Sequence, residues 1–270
     1  MNYALQVTKS APTAQDAARR LLILKQVVVS ALAAPPRDLL RQMTSHWGAP
    51  ELEKFGQKAE AFRDQTWGRL RDAGLWPYLS PLEQAHAQST MVTMTERQQV
   101  DASWRMEAAQ TLMWALSLLA DLPPYDVMAS HEVLKQIPSS DVTGFVESAQ
   151  LRGRADLDRE RDTAEFWHWR SRTRQLIERR DAFPDDEKMK ASGFRTYEDI
   201  VRFSARRAAE LGTIPPCVGD DFPAKGKAYR DLTAQEWSQV RSITIERHYA
   251  LNWLCGLAPG NKWDETPTDT

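Results

Sequence analysis

Trp104-Arg105-Met106-Glu107 runs into Leu112-Met113-Trp114-Ala115-Leu116, and Glu246-Arg247-His248-Tyr249-Ala250-Leu251-Asn252-Trp253-Leu254 repeats the pattern near the other end. Each stretch sets charged side chains inside what otherwise reads as a buried, Trp-bearing helix. Burying a charge is expensive unless the charge finds a partner, so the two helices are expected to meet. On that reading Arg105, Glu107, Glu246 and Arg247 form a buried ion-pair network that sets helix register. By helical face, Arg105 falls with Ala108, Leu112, Ala115 and Leu119, and Glu107 with Trp104, Thr111, Trp114 and Leu118. Glu246 falls with Ile243, Ala250 and Trp253, and Arg247 with Val240, Leu251 and Leu254. After Glu107 the first helix is apolar nearly all round, which places it in the middle of a bundle. The same charges could instead line a catalytic or ligand-binding pocket. The structural reading is preferred, because ion pairs of this kind also sit in cores.

A chain of 270 residues is long enough to bury a core without disulfides or metal. Its 35 Lys+Arg against 37 Asp+Glu give a net charge of -2, which draws it neither to nucleic acid nor to an anionic membrane. Cys217 and Cys255 are too few for a disulfide framework or a thiolate zinc site, so both are expected as reduced thiols in a cytoplasmic protein. Arg19-Arg20 before Leu21-Leu22-Ile23-Leu24 imitates a signal peptide, but Lys25 and Gln26 interrupt it. Leu21, Leu24, Val28 and Ala31 keep helical spacing instead. The uncharged run from Ala108 to Ala120 is too short to span a bilayer, and no transmembrane segment is expected.

The rest reads as helix after helix, with almost no strand signal. Helices are predicted over Thr13–Ala33, Glu51–Asp72, a short one from the Ser80-Pro81-Leu82-Glu83 capping box, Glu96–Asp121, Ser130–Ile137, Ala155–Arg180, Thr196–Leu211 and Thr233–Cys255. Residues 141–153 suggest a loop or weak turn, and residues 213–231 a long ordered loop. The charges Asp156, Asp158, Arg159, Glu160, Arg161 and Asp162 alternate in sign, as on a solvated face. The expected fold is all-α: one compact, bundle-like domain over 1–270, with about eight helices and a long loop before the last.

Four motifs bear on chemistry. Glu83-x-x-His86 and Glu165-x-x-His168 each put a carboxylate and an imidazole on one helix face, half of a bundle metal site that Glu107 and Glu246 could complete. Glu83 is already explained by its capping box, so no metal or other cofactor is expected. The run Gly219 to Gly226-Lys227 lacks the spacing, the Ser/Thr and the preceding strand of a phosphate loop. His248 and Cys255 lie two turns apart, too far for a nucleophile pair. The loop holding Asp220, Asp221, Lys227 and Tyr229, with Trp167, His168, Arg170, His248 and Asn252, is the candidate binding surface. Its bland alternative is a loop pinned across the bundle by Phe222 and Tyr229.

The segments Trp104-Arg105-x-Glu107 with Leu112-Met113-Trp114-Ala115-Leu116, Phe166-Trp167-His168-Trp169-Arg170-Ser171-Arg172-Thr173, and Glu246 to Leu254 with Trp263-Asp264 and Thr268-Asp269-Thr270 resemble a bacterial family, domain of unknown function 4272. The resemblance runs from about residue 14 to 270. It implies a helical domain with a docked C-terminal segment and supplies no activity, cofactor or site residue. The expected function is a non-enzymatic module binding a protein partner or small ligand through an aromatic, mixed-charge groove. The rival is a hydrolase or metal-dependent enzyme built on Arg105, Glu107, His168, Glu246 and His248.

Overall fold

The computed structural model describes residues 11–138, 140–185 and 187–269. Four helices follow one another in space, each packed on the next: α1 (Ala14–Ala33), α5 (Glu96–Ala115), α10 (Ala234–Leu254) and α7 (Arg154–Arg179). Helices α3 (Ala49–Asp72), α4 (Pro81–Gln88) and α6 (Val142–Ser148) lie against α1, and α9 (Tyr197–Glu210) lies against α7. Two more short helices, α2 (Arg37–Thr44) and α8 (Glu187–Ser192), make ten among the described residues rather than the expected eight. The only sheet among them is a hairpin of β1 (Pro223–Ala224) and β2 (Lys227–Ala228), inside the long loop.

Helix starts were the most legible part of the chain. The Ser80/Glu83 capping box forms, with Glu83 N–H donating to Ser80 Oγ and Ser80 N–H to Glu83 Oε2. Thr13/Asp16, Thr95/Gln98, Thr196/Asp199 and Thr233/Glu236 start α1, α5, α9 and α10 in the same way. Each box satisfies orphan backbone donors and is worth about 1 kcal/mol.

Helix ends were less legible. The central helix stops at Ala115, six residues short of the predicted Asp121. Ser117 turns left-handed at φ 61, and Leu118 N–H reaches back to the Met113 carbonyl. That is a Schellman closure without the glycine that usually announces it. Arg152 completes the stop by donating to the Trp114, Leu119 and Ala120 carbonyls at 2.7–2.8 Å. The 141–153 stretch contains helix α6, with the Asp141 carboxylate accepting from Gly144 N–H.

The α5–α10 interface carries the charges. They form two separate pairs rather than one network: Arg105–Glu246 at 3.1 Å and Arg247–Glu107 at 3.0 Å. The second pair is fully buried, and each of its polar atoms has a partner. Arg247 donates to Glu107 and to the Pro123 and Val127 carbonyls, while the other Glu107 oxygen accepts from Ala129 N–H at 2.6 Å. The pair therefore ties the 116–130 loop to both central helices. Burying a charge is tolerated here because each guanidinium nitrogen and both carboxylate oxygens have a partner.

Truncating Glu107 to Ala strands Arg247 in the core and is expected to cost about 3–5 kcal/mol in urea unfolding. Glu246→Ala, whose pair is partly open to solvent, should cost clearly less. A loss for Glu107→Ala no larger than about 1 kcal/mol, the ordinary single-substitution figure, would show that this cluster does not hold the interface.

Candidate functional site

Helix α7 presents Asp156, Arg159, Glu160, Thr163 and Trp167 on one side, at helical spacing. With Asp121–Asp126 and the 213–226 part of the long loop they border an open cavity of about 540 Å³. Trp114 and Arg152 close another wall. Tyr125 stacks on Trp167 with ring centroids 5.5 Å apart and planes 9° apart, and its other partner is Arg247, 5.0 Å from the ring centroid. Its hydroxyl donates to Glu160 Oε1 at 2.8 Å. Burial raises the Glu160 carboxyl above its usual range, against the bond from Tyr125 and the pull of Arg247, and holds the Tyr125 phenol well above its own. The cavity thus joins a rigid aromatic wall to a carboxyl of tuned acidity.

The loop that roofs this cavity is held by one buried ion pair. Arg170 grips Asp221 through two bonds of 2.6 Å, and both side chains are all but inaccessible. Asp221 also accepts from Phe222 N–H and Arg230 N–H, so it folds the loop as it pairs. Phe222 and Tyr229 are fully buried, with Phe222 edge-on to Trp167 and Tyr229 under the Arg170 guanidinium. At the tip, Lys225 (φ 53) and Gly226 (φ 75) form the two-residue hairpin turn, and Asp126 accepts from Lys225 N–H at 2.6 Å.

His168 and His248 meet on the α7–α10 interface, with their Nδ1 atoms 3.0 Å apart. Asn252 Nδ2 donates to the Pro267 carbonyl and to His248 Nε2, which assigns the tautomers. His248 therefore carries its proton on Nδ1 and donates to His168 Nδ1. Burial pushes His168 down to about 4, with Arg241 and Arg172 acting the same way and Asp269 opposing. It pushes His248 down to about 3, with His168 and Arg161 adding to the effect. The docked C-terminal segment, with Trp263 buried against Tyr249 and Trp253, closes over this end of α10; Thr270 lies outside the described residues.

The residues expected at a binding surface therefore divide. Trp167, Arg170, Asp221 and Tyr229 are buried pins beneath the loop, and His168, His248 and Asn252 form the buried polar bridge just described. Asp220 is exposed and paired with Arg206 at 2.9 Å, and Lys227 pairs with Glu236 at 2.9 Å. The five residues of the rival enzyme centre engage in three pairings, Arg105–Glu246, Glu107–Arg247 and His168–His248. Of the metal alternative, Glu83 holds Arg20, His86 meets Ser30 Oγ, Glu165 holds Arg161 and His168 meets His248. No three metal-ligating side chains gather among the described residues. Tyr125, Asp126 and Glu160 escaped the sequence reading. The available signal was the placing of Glu160, three residues before Thr163 and seven before Trp167 on one helical stripe.

Fold and cavity define a helical domain with an open, aromatic chamber of mixed charge, in which no described helix is long and apolar enough to cross a membrane. The chain belongs to the family described as a domain of unknown function, DUF4272, which it matches over residues 6–186. The Trp-Arg-x-Glu and Phe-Trp-His-Trp segments fall inside that match, and the Glu246–Leu254 segment falls outside it. No curated protein and no solved structure matches the chain.

The histidine pair carries a pH dependence. Both imidazoles bind a proton more readily in the unfolded chain, near 6.5, than in the fold, near 4 and 3. Their contribution to stability is thus complete above about pH 6.5 and is lost as pH falls towards 4 and below. Two protons taken up on unfolding give a slope of up to about 3 kcal/mol per pH unit near pH 5. Urea unfolding from pH 7 to 4 should show this slope, and His168→Leu/His248→Leu should flatten it. An unchanged slope in the double variant would assign the acid sensitivity to other groups.

Proposed function

We propose that this protein is a non-enzymatic binding module that takes a small ligand into the chamber beneath the 213–228 loop. The observation that carries the reading is the chamber itself: 540 Å³, within the size range of small-molecule sites. Rigid aromatic groups wall it, and a few polar groups converge on it. Glu160, Thr163 and Asp156 offer polar contacts, while Trp114, Trp167 and the loop prolines offer apolar ones. The loop is anchored by Arg170–Asp221, so the chamber is preformed and ligand binding need not order it. A binding role also fits the engagement of Arg105, His168, His248, Glu107 and Glu246 with one another or with Arg247, which occupies their polar atoms in structural pairs.

A metabolite library screened by thermal shift and tryptophan fluorescence tests this reading. A true ligand at 100 times its Kd should add about 2.7 kcal/mol of stability, or roughly 5–10 °C for a chain of this size. It should also perturb Trp114 or Trp167 emission. Thr163→Trp, which fills the chamber from its wall, should abolish both responses. A ligand that stabilises Thr163→Trp as well as the parent would place binding elsewhere and sink the proposal. Turnover of the ligand would move the protein to the enzyme class.

A further inference from the structure

Besides the chamber, a cavity opens at the junction of α1, α4, α5 and α10, and each carboxylate lining it already has a donor. Arg20 serves Glu83, Arg97 serves Asp101, Arg105 serves Glu246, and Leu82 N–H serves Asp264. The reverse holds at a third cavity, of about 340 Å³, on the seam between α7 and α10. There the donors are in excess. Helix α7 supplies His168, Arg172 and Gln175, and α10 supplies Arg241 and Ile245, each set at helical spacing, so two stripes border the opening. Thr268 and Asp269 of the C-terminal segment complete the rim. His168 is the decisive group. It is 9% exposed, and its proton is placed from behind. Asn252 Nδ2 donates to His248 Nε2, and His248 donates through Nδ1 to His168 Nδ1, so the neutral His168 ring carries its own proton on Nε2. No group among the described residues accepts from that Nε2–H. Unlike Asn252 Oδ1 behind it, Nε2 is not enclosed.

The two arginines point to what the imidazole would meet. Both guanidiniums act on the His168 ring, helping to hold it neutral at pH 7 with its pKa pushed down to about 4. Arg172 donates to Gln175 Oε1 at 2.5 Å, and Arg241 lies 5.9 Å from the Trp237 ring centroid. Neither forms an ion pair among the described residues, even with Asp269 on the same rim. Two guanidiniums against one carboxylate leave the lining net positive, with their N–H groups available. An oxyanion is the natural complement of such a set, since charge-assisted bonds from arginine to phosphate or carboxylate are among the strongest available. Donors from two helices, with the Thr268 hydroxyl beside them, exceed what the two oxygens of a planar carboxylate can use and suit a tetrahedral group. The volume lies at the lower edge of small-molecule sites, so the group need not arrive alone. We propose that this cavity is a binding site for a phosphate group, free or at the end of a small molecule, held by His168 Nε2–H and the guanidiniums of Arg172 and Arg241.

Titration of the full chain with inorganic phosphate at pH 7, against chloride at matched ionic strength, tests the site. The readout is the His168 imidazole signal in protein carrying isotope-labelled histidine. A saturable shift of Nε2 is expected, with a Kd of about 1 mM or tighter, within the ceiling for so few heavy atoms. Arg172→Gln and Arg241→Gln, at an exposed and a half-buried position, should each weaken binding by about tenfold or more. Asp269→Asn should tighten it, and Glu160→Gln, in the other chamber, should leave it unchanged. Methyl phosphate bound as tightly as phosphate would assign the site to a phosphorylated small molecule, and a clear preference for the free ion would assign it to phosphate itself; both support the site. Acetate bound equally well would reduce it to a generic positive patch. A His168 signal that phosphate does not move, or moves equally in the Arg172→Gln/Arg241→Gln double variant, would leave the imidazole donating only to water. Either of these last two results overturns the proposal.

Discussion

Arg247 is the side chain on which the rest of the architecture depends. It is wholly enclosed, and its guanidinium is answered by Glu107 on α5 and by the Pro123 and Val127 carbonyls. Remove that cation and α10 loses its register on α5, while the 116–130 loop loses its anchor. The chamber follows from it, because the same loop delivers Tyr125 to stack on Trp167 and bind Glu160. A buried pair of this quality is weak evidence for net stability but strong evidence for a single register, since any slip leaves a charge unpaired.

The cavities sit on different parts of this frame and differ in kind. The chamber under the loop is aromatic and rigid, its roof pinned by Arg170–Asp221 and its tip by Asp126. The cavity at the α1–α4–α5–α10 junction mixes aliphatic side chains and Trp263 with four carboxylates and Arg105. The family match ends at residue 186, so it takes in Arg105, Glu107 and Arg170 but not their partners: Glu246, Arg247 and Asp221 lie beyond it. The matched and unmatched parts of the chain are nevertheless joined by three ion pairs, two of them fully buried.

Much of the fold was readable in advance, and the failures have local causes. Helix starts were visible because a capping box is a contact between residues three apart. The end of α5 was hidden because Ser117 adopts the left-handed turn that glycine normally supplies. The charges of α5 and α10 were rightly expected to meet, but as one network, because stripes on isolated helices do not say which partner each charge will face. Asp220 and Asp221 illustrate the same limit: two adjacent carboxylates, one in water with Arg206 and one buried on Arg170. Glu160 was taken for solvated face because alternating charge looks the same on a helix whether or not a loop later covers it.

By itself the sequence determined the helical periodicity, the caps that begin the helices, and the fact that several charges must be buried, since these depend on spacings of three or four residues along one chain. Only the tertiary structure decided which charges pair, which donors are left without acceptors, and where the cavities open. Arg247 and Glu107 are 140 residues apart. Nothing local distinguishes that pairing from its alternatives; the packing of α5 on α10 does, by excluding water from one geometry and no other.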